Sequence, residues 1–293
     1  MATNQDIIKK SLSAGYKKYL RWTVLNEKDL ISIYQQYAAN IVDMIIRYAQ
    51  DDKIVPLRYQ QLLDNINGEI KKLGGQTVSY VKRSMKQSIK FGASASEQAL
   101  LDMIPARYKA AISTNFGEIA DGALTAMLAK GFADGIPLST RVWKEIIKDT
   151  QFGIQRQLGL ALAQGTSASE TSRLIRNMLA QPETIRGAKI LANIHPGQGV
   201  YKSAFKNAMR FARTEISRAF VRGQSAYGDS KKWIVGYIRR EPGPAEDEAC
   251  ANAKDQYYPK GTEPELFHPH EMGYNEPVID EDKLFKEADN ART

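Results

Sequence analysis

Three histidines, a lone cysteine and scattered carboxylates are the side chains of this 293-residue chain whose types could act on a substrate. Cys250 has no second cysteine to pair with, so neither an internal disulfide nor a multi-cysteine metal site is available. His195 stands beside Pro196 in a glycine-bearing stretch and reads as a turn residue; His268 and His270 flank Pro269. Gly74-Gly75 lacks the following Lys-Ser/Thr of a phosphate loop, and Gly197 to Gly199 is not set between a strand and a helix. There is no Gly-x-Ser-x-Gly elbow and no His-Glu-x-x-His. Nothing nominates a general base with an orienting partner, so the sequence predicts no enzyme, no cofactor and no small-molecule substrate.

Charge is the stronger signal. The chain is 43% apolar and 25% charged, an ordinary globular composition, with a formal charge of +8. Residues 1–240 carry 36 basic and 19 acidic side chains, a net of +17, whereas residues 241–293 carry 5 and 14, a net of −9. This split predicts a basic body that meets polyanions and an acidic tail that repels them. The polar start, Met1 to Asp6, has no apolar core for a secretion signal, and no stretch approaches ~18 uninterrupted apolar residues, so no membrane span is expected.

The elements that would position these charges read as consecutive helices up to Tyr227, because proline is sparse and apolar residues recur at spacings of three and four. The expected helices cover 6–22, 26–49 with Asn26 and Asp29 at capping spacing, a third from Pro56 ended by Gly74-Gly75, and 77–91. Ser-Ala-Ser-Glu occurs at 94–97 and again at 167–170, and both copies fit capping boxes that open helices. Further helices are expected at 107–130, from a cap at Ser139, at 168–180 and at 202–227. Trp143, Ile146, Ile147, Phe152, Ile154, Leu158 and Leu162 supply the apolar face of the helix after Ser139. A strand is expected from Trp233 to Ile238, then proline-broken loops with a short strand near Gln256-Tyr257-Tyr258. The fold class is therefore mainly α: an elongated multi-helix N-terminal and central part, then a small β element with Pro-rich loops. The expected divisions are 1–135, 136–228 and 229–293.

Within the 202–227 helix, Phe205, Met209, Ala212, Ile216, Ala219, Phe220 and Gly223 form one stripe, predicted to be core. Arg213 and Glu215 fall on its shoulders, where charged residues bond to neighbouring elements while their stems stay buried. Here the sequence resembles the phage minor head, or head-morphogenesis, proteins, the group that includes the F protein of phage Mu. Ala212-Arg213-Thr214-Glu215-Ile216 late in a long helix, then Gly223, Tyr227 and a strand opening with Trp233, carry the resemblance. Pro137-Leu138-Ser139-Thr140-Arg141-Val142-Trp143 before Gly165-Thr166-Ser167 agrees with it, as do Arg239, Asp247, Cys250 and His268-Pro269. It spans roughly residues 110–275.

The resemblance implies a structural protein of the virion head, assembled in the host cytoplasm. It would contact the portal protein or the major capsid protein, with packaged double-stranded DNA as a further partner. The family often carries cysteines where this chain has Ala253, Glu271 and Gly273, so Cys250 and His268 remain of a zinc ligand set and no metal is expected. Some relatives carry a fused catalytic domain, but the ~65 residues after Tyr227 fall short of the ~100–150 such a domain takes.

Two basic faces are candidates for DNA. Lys82, Lys86 and Lys90 repeat every four residues with Arg83 beside them, and Lys206 and Arg210 lie opposite the apolar stripe of the 202–227 helix. Rows of cations neutralise phosphates without reading bases, so binding would be sequence-independent and salt-sensitive. A nucleic-acid-binding protein unrelated to virions is the alternative that these faces leave open.

Overall fold

A computed structural model of the protein describes residues 3–109, 115–129, 135–180, 203–241, 248–264 and 273–290. In chain order the elements are α1 (Asn4–Tyr48), β1 (Ala49–Gln50), β2 (Lys53–Ile54), α2 (Tyr59–Met103), α3 (Phe116–Ala129), α4 (Leu138–Val142), α5 (Lys148–Gln164), α6 (Ala168–Leu179), α7 (Ala204–Asp229), β3 (Ile234–Arg240), α8 (Glu248–Ala253), β4 (Tyr257–Pro259), β5 (Tyr274–Ile279) and α9 (Glu281–Asn290). The protein is mainly helical with small antiparallel sheets. By contact the chain divides into two compact units that interleave in sequence. The first comprises Met1–Leu25, Arg83–Ala129 and Arg213–Thr293; the second comprises Asn26–Lys82 and Lys130–Ala212. The three consecutive divisions expected above follow composition, and these two follow contact.

Three expected helix boundaries are absent, one in α1 and two in α2, because each helix is continuous for 45 residues. The Asn26 side chain does not cap a helix; its amide donates to the Tyr80 hydroxyl (3.0 Å). Gly74-Gly75 does not end α2, since the bare α-carbon of Gly74 faces Ile147, whose Cγ1 lies 3.2 Å from where a Cβ would stand. The first Ser-Ala-Ser-Glu copy lies inside α2, with Ser96 and Glu97 buried. The second copy behaves as expected: the Ser167 hydroxyl accepts the Glu170 amide (3.1 Å) at the start of α6. Ser139 lies inside α4, whose N-cap is Pro137.

In the second unit, Leu30, Tyr34, Ile41 and Ile45 of α1 and Leu62, Ile66, Ile70 and Leu73 of α2 are buried. A turn with Asp51 and Asp52 at positive φ (51° and 55°) closes the β1–β2 pair, a conformation that Asp tolerates better than most residues. Asp52 then caps α6, accepting from the Ser169 amide (2.9 Å) and hydroxyl (2.8 Å), bonds that hold its carboxyl below the usual range.

The apolar face of α5 departs from expectation. Ile146, Ile147, Ile154 and Leu158 are buried, but Trp143 is 42% and Phe152 68% exposed. For Trp143 the cause is a π turn over Trp143–Ile147, in which the Lys148 amide donates to the Trp143 carbonyl. Five residues to that turn displace the 3.6-residue pattern on which the expectation rested. Phe152, two residues before the buried Ile154 in the regular helix that follows, simply lies on the opposite side of it.

In the first unit, α2 crosses α7 at two glycines. A Cβ on Gly92 would stand 2.0 Å from the Phe220 carbonyl oxygen, and one on Gly223 would stand 2.2 Å from that of Ile89. No other residue allows backbones so close, and beside the crossing the Ser88 hydroxyl donates to the Ile216 carbonyl (2.6 Å). Phe205, Met209, Ile216 and Phe220 are buried, as the stripe predicted. Phe220 packs against Tyr19 (ring centroids 4.3 Å apart) and edge-on to Tyr16 (5.4 Å). The sheet order is β4-β3-β5, and β5 is a strand the sequence did not announce. The Asn4 amide donates to Glu281 (2.7 Å) and the Gln5 amide to Glu276, so the start of α1 is tied to the C-terminal elements.

Gly92→Ala and Gly223→Ala should each destabilise the protein by about 1–3 kcal/mol or more, since the obstructing atoms are backbone. Gly68→Ala, in the same helix as Gly92 but with open space around it, should stabilise by up to about 1 kcal/mol. Urea unfolding of the three variants checks both signs.

Candidate functional site

Of the residues carrying the resemblance, Arg213, Thr214, Glu215, Trp233 and Arg239 lie in and around a buried polar network of the first unit. Pro137 to Trp143 and Gly165 to Ser167 belong to the second unit, and Asp247 and His268-Pro269 lie outside the described residues. Glu215, on α7, is fully buried and accepts from Arg218 one turn on (3.1 Å). Thr214 is buried and Arg213 half-buried. Trp233, just before β3, is 1% exposed, and its carbonyl accepts the Asp280 amide (2.8 Å), closing β5 against it. The structural motif Arg213, Thr214, Glu215 and Trp233 is thus interior.

Arg239, at the end of β3, is the largest charge in this interior and is fully buried. Its Nε donates to Glu241 (2.9 Å) and one Nη to the Asn275 side-chain carbonyl (3.2 Å). Arg240 points to the other face of the strand and grips Glu276 with two donors (2.6 and 3.1 Å), while a third reaches Asp255. These carboxylates drive the Arg240 guanidinium further above its already high value. The Asn275 backbone amide also donates to the Gln224 side-chain oxygen of α7 (2.9 Å). Gly273 leaves room for all this: a Cβ there would meet an Arg239 Nη at 2.1 Å. The network ties α7, β3 and β5 together.

Two tyrosines sit near it with hydroxyls that have no hydrogen-bond partner among the described residues, Tyr227 and Tyr237. Burial pushes both well above the usual phenol range; nearby Glu97 adds to it for Tyr227, and Glu263 and Asp229 for Tyr237. Burial lowers Lys231 in the same area, against the pull of Glu97 and Glu287.

The candidate DNA residues are spread differently. Arg83, Lys86 and Lys90 belong to the first unit, and Lys82 closes the second unit's stretch of α2. Lys82 and Arg83 are exposed; Lys86 and Lys90 are half-buried, and Lys86 is taken up by an ion pair with Asp121. Lys206 and Arg210 are half-buried on α7, a helix with few exposed positions. A groove of about 670 Å3 in the first unit is lined by Lys10 and Lys18 of α1 and by Phe91, Gln98 and Asp102 of α2. Asp102 is already engaged there by Ser11 (2.6 Å) and Gln98 (2.7 Å).

Cys250 is buried in α8, and His195, His268 and His270 lie outside the described residues. Among the described residues no group of three or more His, Cys, Asp or Glu side chains is placed to hold a metal, and no helix is long and apolar enough to cross a membrane. Of the interior network, the sequence pointed to Arg213, Glu215 and Arg239. It missed Gln224, Asn275 and Glu276, because polar residues flanking Pro277 read as loop.

Arg239→Ala should cost about 3–5 kcal/mol, because Glu241 loses its buried partner. The buried tyrosines predict a second outcome. Tyr16, Tyr34, Tyr227 and Tyr237 all stay neutral in the fold well above pH 10, chiefly through burial, whereas the unfolded chain ionises them near 10. Their contribution is therefore whole below pH 10 and is lost as pH climbs from there through the raised values. Absorbance at 295 nm should show these four of the 14 tyrosines ionising only together with loss of helical circular dichroism. Compared with known proteins, the chain matches no family model, no curated protein and no solved structure.

Proposed function

We propose that this is a structural minor head protein of a tailed bacteriophage, acting in head assembly or DNA packaging through contacts with portal or capsid subunits. The observation that supports this reading best is the Ala212–Ile216 segment with Gly223, Tyr227 and Trp233 in family order. Packing gives several of these positions a physical reason: Thr214, Glu215, Tyr227 and Trp233 are buried, and Gly223 admits the backbone of α2. A basic, mainly helical body without an evident catalytic constellation is in keeping with a scaffold role. Mass spectrometry of purified phage particles from the producing strain tests it: the chain should be present in the head at a fixed ratio to portal. Its absence from particles would favour the nucleic-acid-binding alternative.

A DNA contact is the second part of the proposal, carried by the +17 charge of residues 1–240. The C-terminal segment cannot simply be removed to test it, because residues 241–293 contain β4 and β5, which cover Trp233, Tyr237 and Arg239. The full-length protein is therefore the one to titrate. Binding to duplex should be weak, without sequence preference, and salt-dependent. With Lys86 paired to Asp121, the log–log salt slope should be shallower than the about −3.6 that four phosphate contacts would give. Reversing Arg83 and Lys90 should flatten it further; reversing Lys206 and Arg210 tests the other face. No binding at low salt would remove DNA from the proposal and leave the cations to protein contacts.

A further inference from the structure

The π turn before α5 does more than turn Trp143 outward. Across it, Trp143 falls into line with Lys148, five residues on, and from Lys148 the α-helical step of four continues through Phe152, Arg156 and Leu160. All five are exposed, with Trp143 at 42%, Phe152 at 68% and Leu160 at 38%. They make one ridge in which apolar and cationic side chains alternate. The ridge lies wholly in the second unit. Neither Lys148 nor Arg156 forms an ion pair among the described residues, whereas the neighbouring Glu145 is held by Arg141 (3.2 Å).

Much of the rest of α5 packs inward. Ile154 and Leu158 are core, Gln151 and Gln155 donate to Asn67 of α2 (3.0 and 3.1 Å), and Gly153 and Gly159 admit Met178 and the Tyr59 hydroxyl close to the helix. The exposed apolar side chains of α5 lie on the ridge, with the exposed carboxylate of Asp149 beside Lys148. Exposed apolar side chains set in a row at helical spacing mark a contact surface more often than chance.

We infer that the Trp143–Leu160 ridge docks into the surface of an acidic protein, seating as a helix in a groove whose apolar pockets alternate with carboxylates. Phe152 and Leu160 are about 12 Å apart along the helix at 1.5 Å per residue, with Arg156 midway, so the matching groove repeats an acidic group between two pockets. Charge complementarity selects this occupant. A second copy of this chain carries the same unpaired cations on its ridge and would repel. Duplex phosphates would take Lys148 and Arg156 but leave Phe152 and Trp143 in water. A lipid surface wants an unbroken apolar face with cations at its edges, and here the cations interrupt the apolar row. Trp and Arg are also the types that most often dominate protein interfaces. The inference is independent of the virion reading: a particle without the protein would end that reading and leave the ridge's partner to be found elsewhere.

The test places the photo-crosslinking residue p-benzoylphenylalanine at position 152 of the full-length chain in producing cells, with the exposed Ser32 as control position. Irradiation should give one dominant protein adduct from position 152 and none from 32, and sequencing should place the crosslink in an apolar segment flanked by Asp or Glu. With that partner purified, Phe152→Ala and Arg156→Glu should each weaken binding by about tenfold or more, and rising salt should weaken it further. Both variants alter exposed side chains, so unchanged thermal unfolding confirms that the fold is intact. Adducts only to nucleic acid or lipid, to a second copy of the chain, or to nothing would each overturn the inference. So would a protein adduct whose affinity ignores Arg156→Glu.

Discussion

Two glycines, Gly92 on α2 and Gly223 on α7, allow a contact on which much of the first unit depends. Where their backbones meet there is no space for a Cβ, so the helices lock at that point with little freedom to slide. That fixes which residues of α7 face inward on either side of the crossing: Ile216 and Phe220 on one turn, Gln224 and Tyr227 on the next. Phe220 then becomes the floor for Tyr16 and Tyr19 of α1, and Gln224 is placed to receive the backbone of β5. The aromatic cluster and the sheet are thus held through one steric constraint.

The sheet repays the constraint through charge. Arg239 and Arg240 point to opposite faces of one strand, and each meets a carboxylate there. Buried ion pairs are weak sources of net stability, but they punish mispairing, because any other register strands a charge without its partner. Consecutive arginines on β3 and consecutive Asn275-Glu276 on β5 fit only one way. Segments that look like an acidic tail by composition are therefore structural members of the unit, and their negative charge is partly consumed inside it.

The helical class, the core stripe of α7, the Ser167 cap and the strand after Trp233 were legible because each rests on short-range pattern. What was not legible depends on distant partners. Gly74 and the Ser94–Glu97 segment carry the marks of helix ends, yet Gly74 is small so that Ile147 can approach, and Ala95 packs so close to Gly15 that a Cβ there would stand 2.8 Å from its own. Packing overrode the local signal. Trp143 was assigned to the core on a 3.6-residue period that a single π turn breaks, and Phe152 was grouped with a stripe that it faces away from, two residues before Ile154. β5 was hidden because its buried residues are Asn and Glu, inward only because two arginines await them. The part of the site that carries the resemblance was readable as a motif, but its being interior was not.

The ties from Asn4 to Glu281 and from Gln5 to Glu276 join residues 277 and 271 positions apart. During synthesis the start of α1 leaves the ribosome long before either partner exists, roughly 15 to 55 s earlier at ~5–20 residues per second. Through that interval the buried face of α1 is only partly covered: Phe91 and then Phe220 reach Tyr19, but Tyr274, which stacks on Tyr16, is still missing. The first unit can close only when the last fifth of the chain has been made, so its earliest helix is its latest to be secured. A ribosome that stalls before β5 releases a nascent chain with an adhesive aromatic face, a natural client for holding chaperones.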